Sequence, residues 1–126
     1  MKNKILFTVS LLFGLMMINA GLDKLFHYMP MPENVSQNII TVFNAFTQIG
    51  WLMPLVGVVE IIGGLLLIFP KTRALGALVI LPVFIGIILV NSVTDTTGLP
   101  IVIILLAILT WIMLENKKKY IQLINP

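Results

Sequence analysis

Long apolar runs recur along this chain, and they restrict it to one class of fold. Four runs approach or reach the roughly 20 helical residues that cross the hydrocarbon core of a bilayer. They cover approximately residues 5–26, 49–69, 74–93 and 99–114. With 59% apolar residues and a mean hydropathy of +1.07, a 126-residue soluble domain could not bury this much apolar surface. The sequence therefore predicts a single all-α membrane domain, an antiparallel bundle of four transmembrane helices.

The first run also has features of a secretory signal peptide. It has a basic start, an apolar stretch and a cleavage-like step at Ala20-Gly21. Ile18 is a poor residue for the −3 position of such a site. We therefore expect this segment to be kept as the first transmembrane helix.

Residues 33–47 follow a different pattern. Pro30 and Pro32 end the first helix. Beyond them, apolar residues recur at helical spacing on one side, and Ser, Gln and Asn occupy the other. The segment is too polar to span, so the sequence predicts a short amphipathic helix between helices 1 and 2. We expect it at the membrane interface or folded over the mouth of the bundle.

The basic residues mark the ends of the spans and do not indicate nucleic-acid binding. Seven of the eight Lys and Arg residues fall on one side of the predicted bundle, and only Lys24 falls on the other. By the positive-inside rule, both termini are expected in the cytoplasm. Lys71 and Arg73 form part of the tight turn between helices 2 and 3, where they are expected to set topology or contact lipid headgroups. The other five are Lys2, Lys4, Lys117, Lys118 and Lys119.

Glu60 lies midway along the second run, where a charged side chain costs about 2.5–3.5 kcal/mol on insertion scales. It is therefore expected to face protein or enclosed water. Gly57 and Gly64 share its helical face, so a neighbouring helix backbone can approach closely on either side of it. Other helix-packing sites are predicted at small residues and at the proline of helix 3, namely Gly14, Gly21, Gly63 and Pro82.

The polar side chains gather in the outer half of the predicted bundle. They predict a small pocket that opens outward, with Glu60 at its floor and the amphipathic segment as its lid. An ion pair between Lys24 and Glu60 is not expected, because their difference in depth is near the limit of both side chains. In the structural alternative, a neutral Glu60 bonds to Asn19 or to the carbonyl freed by Pro82, and it serves packing alone. The predicted pocket residues are Asn19, Asp23, Lys24, His27, Glu60 and Asn91.

The residue types present exclude several cofactor sites within this chain. There is no cysteine, which excludes thiol–disulfide exchange and Cys-ligated iron–sulfur clusters. His27 is the single histidine, so one chain cannot supply bis-His haem ligation or a multi-His metal site. No metal, haem or iron–sulfur site is therefore predicted. A lone carboxylate without metal ligands, a nucleophile or a phosphate loop favours a non-catalytic protein over an enzyme.

The chain resembles the DoxX family of small four-helix bacterial membrane proteins over nearly its whole length. The resemblance rests on GLDKLFH at 21–27, GWLMPLVGVVEIIGGLLL at 50–67, LP at 81–82 and GLP at 98–100. It implies a four-helix bundle in the bacterial inner membrane. It also implies a link to quinone-dependent thiosulfate oxidation and oxidoreductase assemblies, and in distant animal relatives to receptor assembly. Gly86 and Asn91 stand where family members often carry Asn and His, so no haem or redox role of that histidine carries over.

Three functions follow as hypotheses. The favoured one is a non-catalytic accessory subunit or assembly factor of a larger membrane complex, with other subunits or further copies of this chain as partners. The second is a quinone-linked oxidoreductase component in which Glu60 is the proton carrier. The third is a pocket for a lipid or another small apolar ligand.

Overall fold

The described part of the chain is built from helices and short connections. The computed structural model describes residues 2–28, 36–94 and 96–125, and within these ranges it contains no strand. In chain order the helices are α1 (Lys2–Phe26), α2 (Gln37–Gln48), α3 (Leu52–Ile68), α4 (Arg73–Leu89), α5 (Leu99–Glu115) and α6 (Lys117–Ile124), and a π-helical turn, Val90–Thr94, continues α4. The prediction of an all-α fold is confirmed.

Several of these helices are long and apolar enough to cross a membrane. Among the described residues, α1 and the continuous segment Arg73–Thr94 meet this condition on their own. The pairs α2–α3 and α5–α6 meet it only if each is taken as one broken span, with bends of 94° and 65°. By themselves α3 and α5 have 17 residues each, which gives about 26 Å against a hydrocarbon core of about 30 Å. The chain thus has two to four candidate spans, and the prediction of a membrane protein is supported.

The predicted amphipathic segment corresponds to α2, which begins after Ser36. The Ser36 side chain accepts a hydrogen bond of 3.3 Å from the Ile39 N–H, which satisfies one free donor of the first turn. The 94° bend lays α2 across the start of α3 and not in line with it. Residues 33–35 of the prediction lie outside the described part of the chain.

Two pairs of facing glycines bring α1 and α3 together. A Cβ built on Gly14 would lie 2.5 Å from the Gly64 carbonyl oxygen, and one on Gly64 would lie 2.5 Å from the Gly14 oxygen. Gly21 and Gly57 face each other in the same way, farther along both helices. From the first pair to the second, the residue number rises on α1, from 14 to 21, and falls on α3, from 64 to 57, so the two helices run antiparallel. Any side chain at these positions would push the two backbones apart.

A third close approach joins α3 to α4. A Cβ on Gly76 would lie 2.8 Å from the Gly63 carbonyl oxygen and 2.7 Å from the Leu67 nitrogen. Gly76 was not among the predicted helix-packing sites, because its partner is defined only once α3 and α4 are folded against each other. Around these contacts, α1, α3, α4 and α5 enclose an apolar core that includes an aromatic pair, Phe13 and Phe84, with ring centroids 6.1 Å apart.

Most of the basic residues meet at one end of the molecule, which we call the basic end. It comprises the start of α1, the turn before α4, the last turn of α5 and α6. Lys2 Nζ lies 3.0 Å from Glu115 Oε2, and Tyr120 in α6 donates a 2.8 Å hydrogen bond to the Ala74 carbonyl. Burial raises the pKa of the Tyr120 phenol. The sequence predicts the fourth apolar helix to end near 114, with the lysines closing the chain, and α6 was not anticipated.

Candidate ligand-binding cleft

A cavity of ≈ 680 Å³ lies between α2, α3 and α4, toward the end of the molecule opposite the basic end. We call it the α3–α4 cleft. It forms because α3 and α4 approach closely at Gly63 and Gly76, near the basic end, and leave space between them farther away. Its lining is mostly apolar and consists of Lys24, Phe43, Phe46, Leu52, Met53, Leu55, Val56, Val59, Glu60, Val79, Pro82, Val83, Gly86, Ile87, Val90 and Asn91.

The cleft and the core lie on different faces of α4. Lining residues such as Pro82 and Gly86 are exposed, whereas the core residues Ile80 and Phe84 are fully buried. On α3 the lining residue Leu55 is 51% exposed. The cleft therefore opens along the sides of the two helices. This differs from the predicted pocket, which opens outward at the mouth of the bundle. The observed space lies where α3 and α4 separate beyond their contact at Gly63 and Gly76.

An ion pair between Lys24 and Glu60 forms part of the cleft lining. Lys24 Nζ is 2.6 Å from Glu60 Oε1; Glu60 is 1% exposed, and the Lys24 side chain is 23% exposed. The expectation that depth would prevent this pair is wrong. The facing glycines set Glu60 level with Ile18, about 9 Å along the axis from Lys24. Side chains lean toward the N-terminus of their own helix, and in antiparallel helices these two directions converge.

Asn91 adds an amide to the cleft wall, in the π-helical turn that follows α4. Its Nδ2 donates a 2.8 Å hydrogen bond to the Ile87 carbonyl, which fixes the side chain against its own helix. A Cβ on Gly98 would lie 2.5 Å from Asn91 Oδ1, so the start of α5 packs directly on this amide. Of the residues predicted for the pocket, the structure brings Lys24, Glu60 and Asn91 together around one cavity.

The other three predicted pocket residues do not line the cleft. Asn19 is exposed, and its side chain and carbonyl both accept a hydrogen bond from the Tyr28 hydroxyl. Asp23 accepts a 2.6 Å hydrogen bond from the His27 N–H through its backbone carbonyl. His27 is exposed and has a φ of 54°, a left-handed conformation that histidine adopts more readily than most residues and that ends α1. All three belong to the end of α1.

The two basic residues of the turn before α4 differ in exposure. Lys71 is exposed, whereas Arg73 is only 5% exposed. The Arg73 Nε donates a 3.1 Å hydrogen bond to the Leu67 carbonyl at the end of α3, and its guanidinium carbon lies 6.0 Å from the centre of the Phe7 ring. Arg73 thus packs inside the basic end, where it satisfies a carbonyl of the last turn of α3.

Two features of the cleft were missed as site residues in the sequence. Phe43 and Phe46 of α2 face the cleft, and their rings meet edge to face with centroids 5.9 Å apart. Their helical spacing did mark the apolar side of α2. Gly86 lines the cleft with no atom within 4 Å of a Cβ built on it, so it leaves open space. Among the residues that the structure describes, no group of three His, Cys, Asp or Glu side chains is placed to bind a metal ion.

A comparison with known protein families supports the resemblance. The sequence matches the DoxX family over residues 5–93, a stretch that contains Lys24, Glu60 and Asn91 and ends before α5. No curated protein and no solved structure matches the chain.

Proposed function

The chain belongs to the DoxX family, and from its α3–α4 cleft we propose that it binds an amphiphilic, largely apolar ligand within the membrane. The observation that carries the proposal is the cleft itself. Its volume of ≈ 680 Å³ lies within the range of about 300–1,000 Å³ for small-molecule sites, and its apolar walls with a few polar groups have the usual composition of such sites.

The polar groups of the cleft define the chemistry of the ligand. The Lys24 ammonium carries three donors, and Glu60 takes one of them, which leaves donors for a ligand oxygen. A lipid tail would contact the apolar walls, while a carbonyl, hydroxyl or carboxylate at one end would meet Lys24. The lateral opening admits such a molecule directly from the bilayer. A quinone ring fits this description, and Glu60 as its proton carrier stays a prediction.

The accessory-subunit role also stays a prediction. Candidate membrane-spanning helices imply contact with lipid, and a cleft that holds an apolar ligand is compatible with a small subunit of an oxidoreductase complex or with a homo-oligomer. Purification from native membranes in mild detergent tests this role. Migration of the chain alone, at the mass of one copy, would contradict it.

We further propose the predicted topology of four antiparallel spans in a bacterial inner membrane, with the basic end in the cytoplasm. The contacts Lys2–Glu115 and Tyr120–Ala74 support it, because they hold the start of α1, the start of α4, the end of α5 and α6 at one side. Cations on that side agree with the positive-inside rule.

Cysteine labelling tests this topology without background, because the chain has no cysteine. In intact spheroplasts, an impermeant maleimide should label Gly50→Cys, at the α2–α3 turn, but not Lys118→Cys. After permeabilisation both should be labelled. Labelling of Lys118→Cys in intact spheroplasts would show that the orientation is reversed or that the number of spans is odd.

A bulky side chain placed in the cleft tests whether a ligand binds there. We expect Gly86→Phe to fold normally, because a Cβ there meets nothing within 4 Å. The amount of co-purified amphiphile should fall by roughly tenfold or more, because the phenyl ring occupies the space of the ligand. The amphiphile is measured by mass spectrometry of the organic extract of the purified protein. Gly50→Phe is the matched control, since Gly50 also has open space around its Cβ but does not line the cleft. Equal amounts of amphiphile in both variants would refute the proposal.

A further inference from the structure

A second concave surface lies at the basic end, where α5 turns into α6. It encloses ≈ 720 Å³, and we call it the lysine pocket. We propose that the lysine pocket binds the headgroup of an anionic phospholipid. Its lining consists of Lys2, Leu114, Glu115, Asn116, Lys117, Lys118 and Lys119.

The charge of the lysine pocket is unbalanced. Glu115 is the one acid in its lining, and its carboxylate pairs with Lys2 at 3.0 Å. The three remaining lysines are exposed and lie next to one another at 117–119. Lys119 reaches a backbone carbonyl, that of Pro70, at 3.4 Å, which does not neutralise its charge. Within the described part of the chain, no second carboxylate lines the pocket to balance the charges of these three lysines.

The position of these lysines at the start of α6 makes their positive charge still less favourable. Lys117, Lys118 and Lys119 form the first turn of α6, where the positive end of a helix dipole disfavours cations. The turn contains no acid, and the side chain of Asn116 makes no capping hydrogen bond. An anion bound beside this turn would offset both the dipole and the clustered lysines. Without a bound anion, the helix dipole would favour acidic residues in the first turn of α6, where this chain has three lysines.

The surroundings of the pocket identify the anion as that of a lipid. α6 bends 65° away from α5, and Tyr120 ties it to the start of α4. Beyond Tyr120, Ile121, Leu123 and Ile124 are 54%, 73% and 86% exposed. Lysines beside exposed apolar side chains on a short helix at the end of a candidate span are typical of a segment that lies on an anionic bilayer surface. If the phosphate of a phospholipid occupied the pocket, the acyl chains of that lipid would lie beside Leu114 and the exposed apolar residues of α6.

Native mass spectrometry of the full-length protein in neutral detergent tests this site. The protein is titrated with phosphatidylglycerol, with phosphatidylcholine and with inorganic phosphate. For Lys117→Gln/Lys118→Gln we expect an approximately 25-fold loss of affinity for phosphatidylglycerol, from about 1 kcal/mol for each lysine near an anionic headgroup, and no change for phosphatidylcholine. This variant keeps the Lys119–Pro70 contact and uses a good helix former.

Two further variants distinguish binding in the lysine pocket from a general effect of net charge and from an effect on folding. Lys4→Gln/Lys71→Gln removes two exposed lysines that do not line the pocket, and it should keep its affinity within about threefold. Lys117→Arg/Lys118→Arg keeps the charge and should bind as the unmodified chain does. An equal loss in the Lys4/Lys71 variant, full affinity in the glutamine variant, or displacement of the lipid by equimolar inorganic phosphate would each overturn the proposal.

Discussion

Replacing Gly64 by leucine is expected to lower the free energy of unfolding by about 3 kcal/mol or more. A Cβ at this position would lie 2.5 Å from the Gly14 carbonyl oxygen, which is backbone and cannot rotate away. To admit a leucine, α1 and α3 must move apart along their whole glycine-lined contact, and packing between them is lost. The measurement is unfolding of the purified protein by SDS in mixed micelles, followed by circular dichroism.

The matched control for this change is Gly86→Leu. The substitution is identical and also lies inside a helix, but a Cβ at Gly86 has no atom within 4 Å. Its stability should be unchanged or higher by up to about 1 kcal/mol, because glycine is a poor helix former. If both leucine variants unfold at the same SDS fraction, the α1–α3 glycine contact is not a determinant of stability.

Lys24→Met is the second change with a large expected effect, a loss of about 3–5 kcal/mol. It leaves the Glu60 carboxylate, which is 1% exposed, without its cation in an apolar cleft. Methionine keeps the length and the apolar part of the lysine side chain, so the loss reports on the charge. Glu60→Gln should cost less, because Lys24 is partly exposed and can extend its ammonium toward the interface. The same SDS titration compares the variants.

Lys2→Met provides the control for the Lys24 variant. The Lys2–Glu115 pair is 3.0 Å long, but its lysine side chain is 68% exposed, so the loss of this pair should cost no more than about 1 kcal/mol. The double variant Lys24→Met/Glu60→Gln should recover most of the stability lost in Lys24→Met, because no buried charge remains. A similar loss in Lys2→Met and Lys24→Met, or no recovery in the double variant, would contradict a stabilising role of the buried pair.

These two predictions address opposite properties of α3. Its contacts with α1 and α4 through Gly64 and Gly63 leave no space for a side chain. Its other side borders an open cleft, whose polar groups are Glu60 of α3 itself, Lys24 of α1 and Asn91 of the π-helical turn. The tight contacts hold α3 and α4 in a fixed relation, and the cleft can therefore keep its shape without a ligand. The two properties can be altered separately, by Gly64→Leu and by Gly86→Phe.

The resemblance and the local patterns predicted much of this arrangement. The DoxX family was predicted from the resemblance of motifs such as GLDKLFH at 21–27. The all-α fold, the membrane-spanning character and the amphipathic α2 follow from apolar run length and helical spacing, which are local properties of a sequence. Short stretches were less predictable. The three adjacent lysines at 117–119 did not indicate a helix, and the hydrogen bond that ties α6 to the distant Ala74 carbonyl through Tyr120 is not visible in a local pattern.

The candidate site was predicted in part. Sequence reasoning selected Glu60 because a carboxylate in an apolar run is costly wherever it lies, and that argument needs no partner. It misjudged Lys24 because the lean of the Lys24 side chain toward the level of Glu60 was left out of the axial distance. It grouped Asn19 with the pocket because helical depth is readable from the sequence, whereas the hydrogen bonds with Tyr28 depend on the path of the chain after α1.

The sequence by itself determined that this chain forms apolar helices, that it has one deeply placed acid, and that most of its cations gather at one end. These properties depend on composition and on residues a few positions apart. Only the tertiary structure decided that the cleft opens sideways between α3 and α4, that Lys24 reaches Glu60, and that Lys2 lines one pocket together with the three lysines of α6. Each of these depends on how closely and at what angle distant helices meet, and backbone contacts at glycines such as Gly76 set that distance.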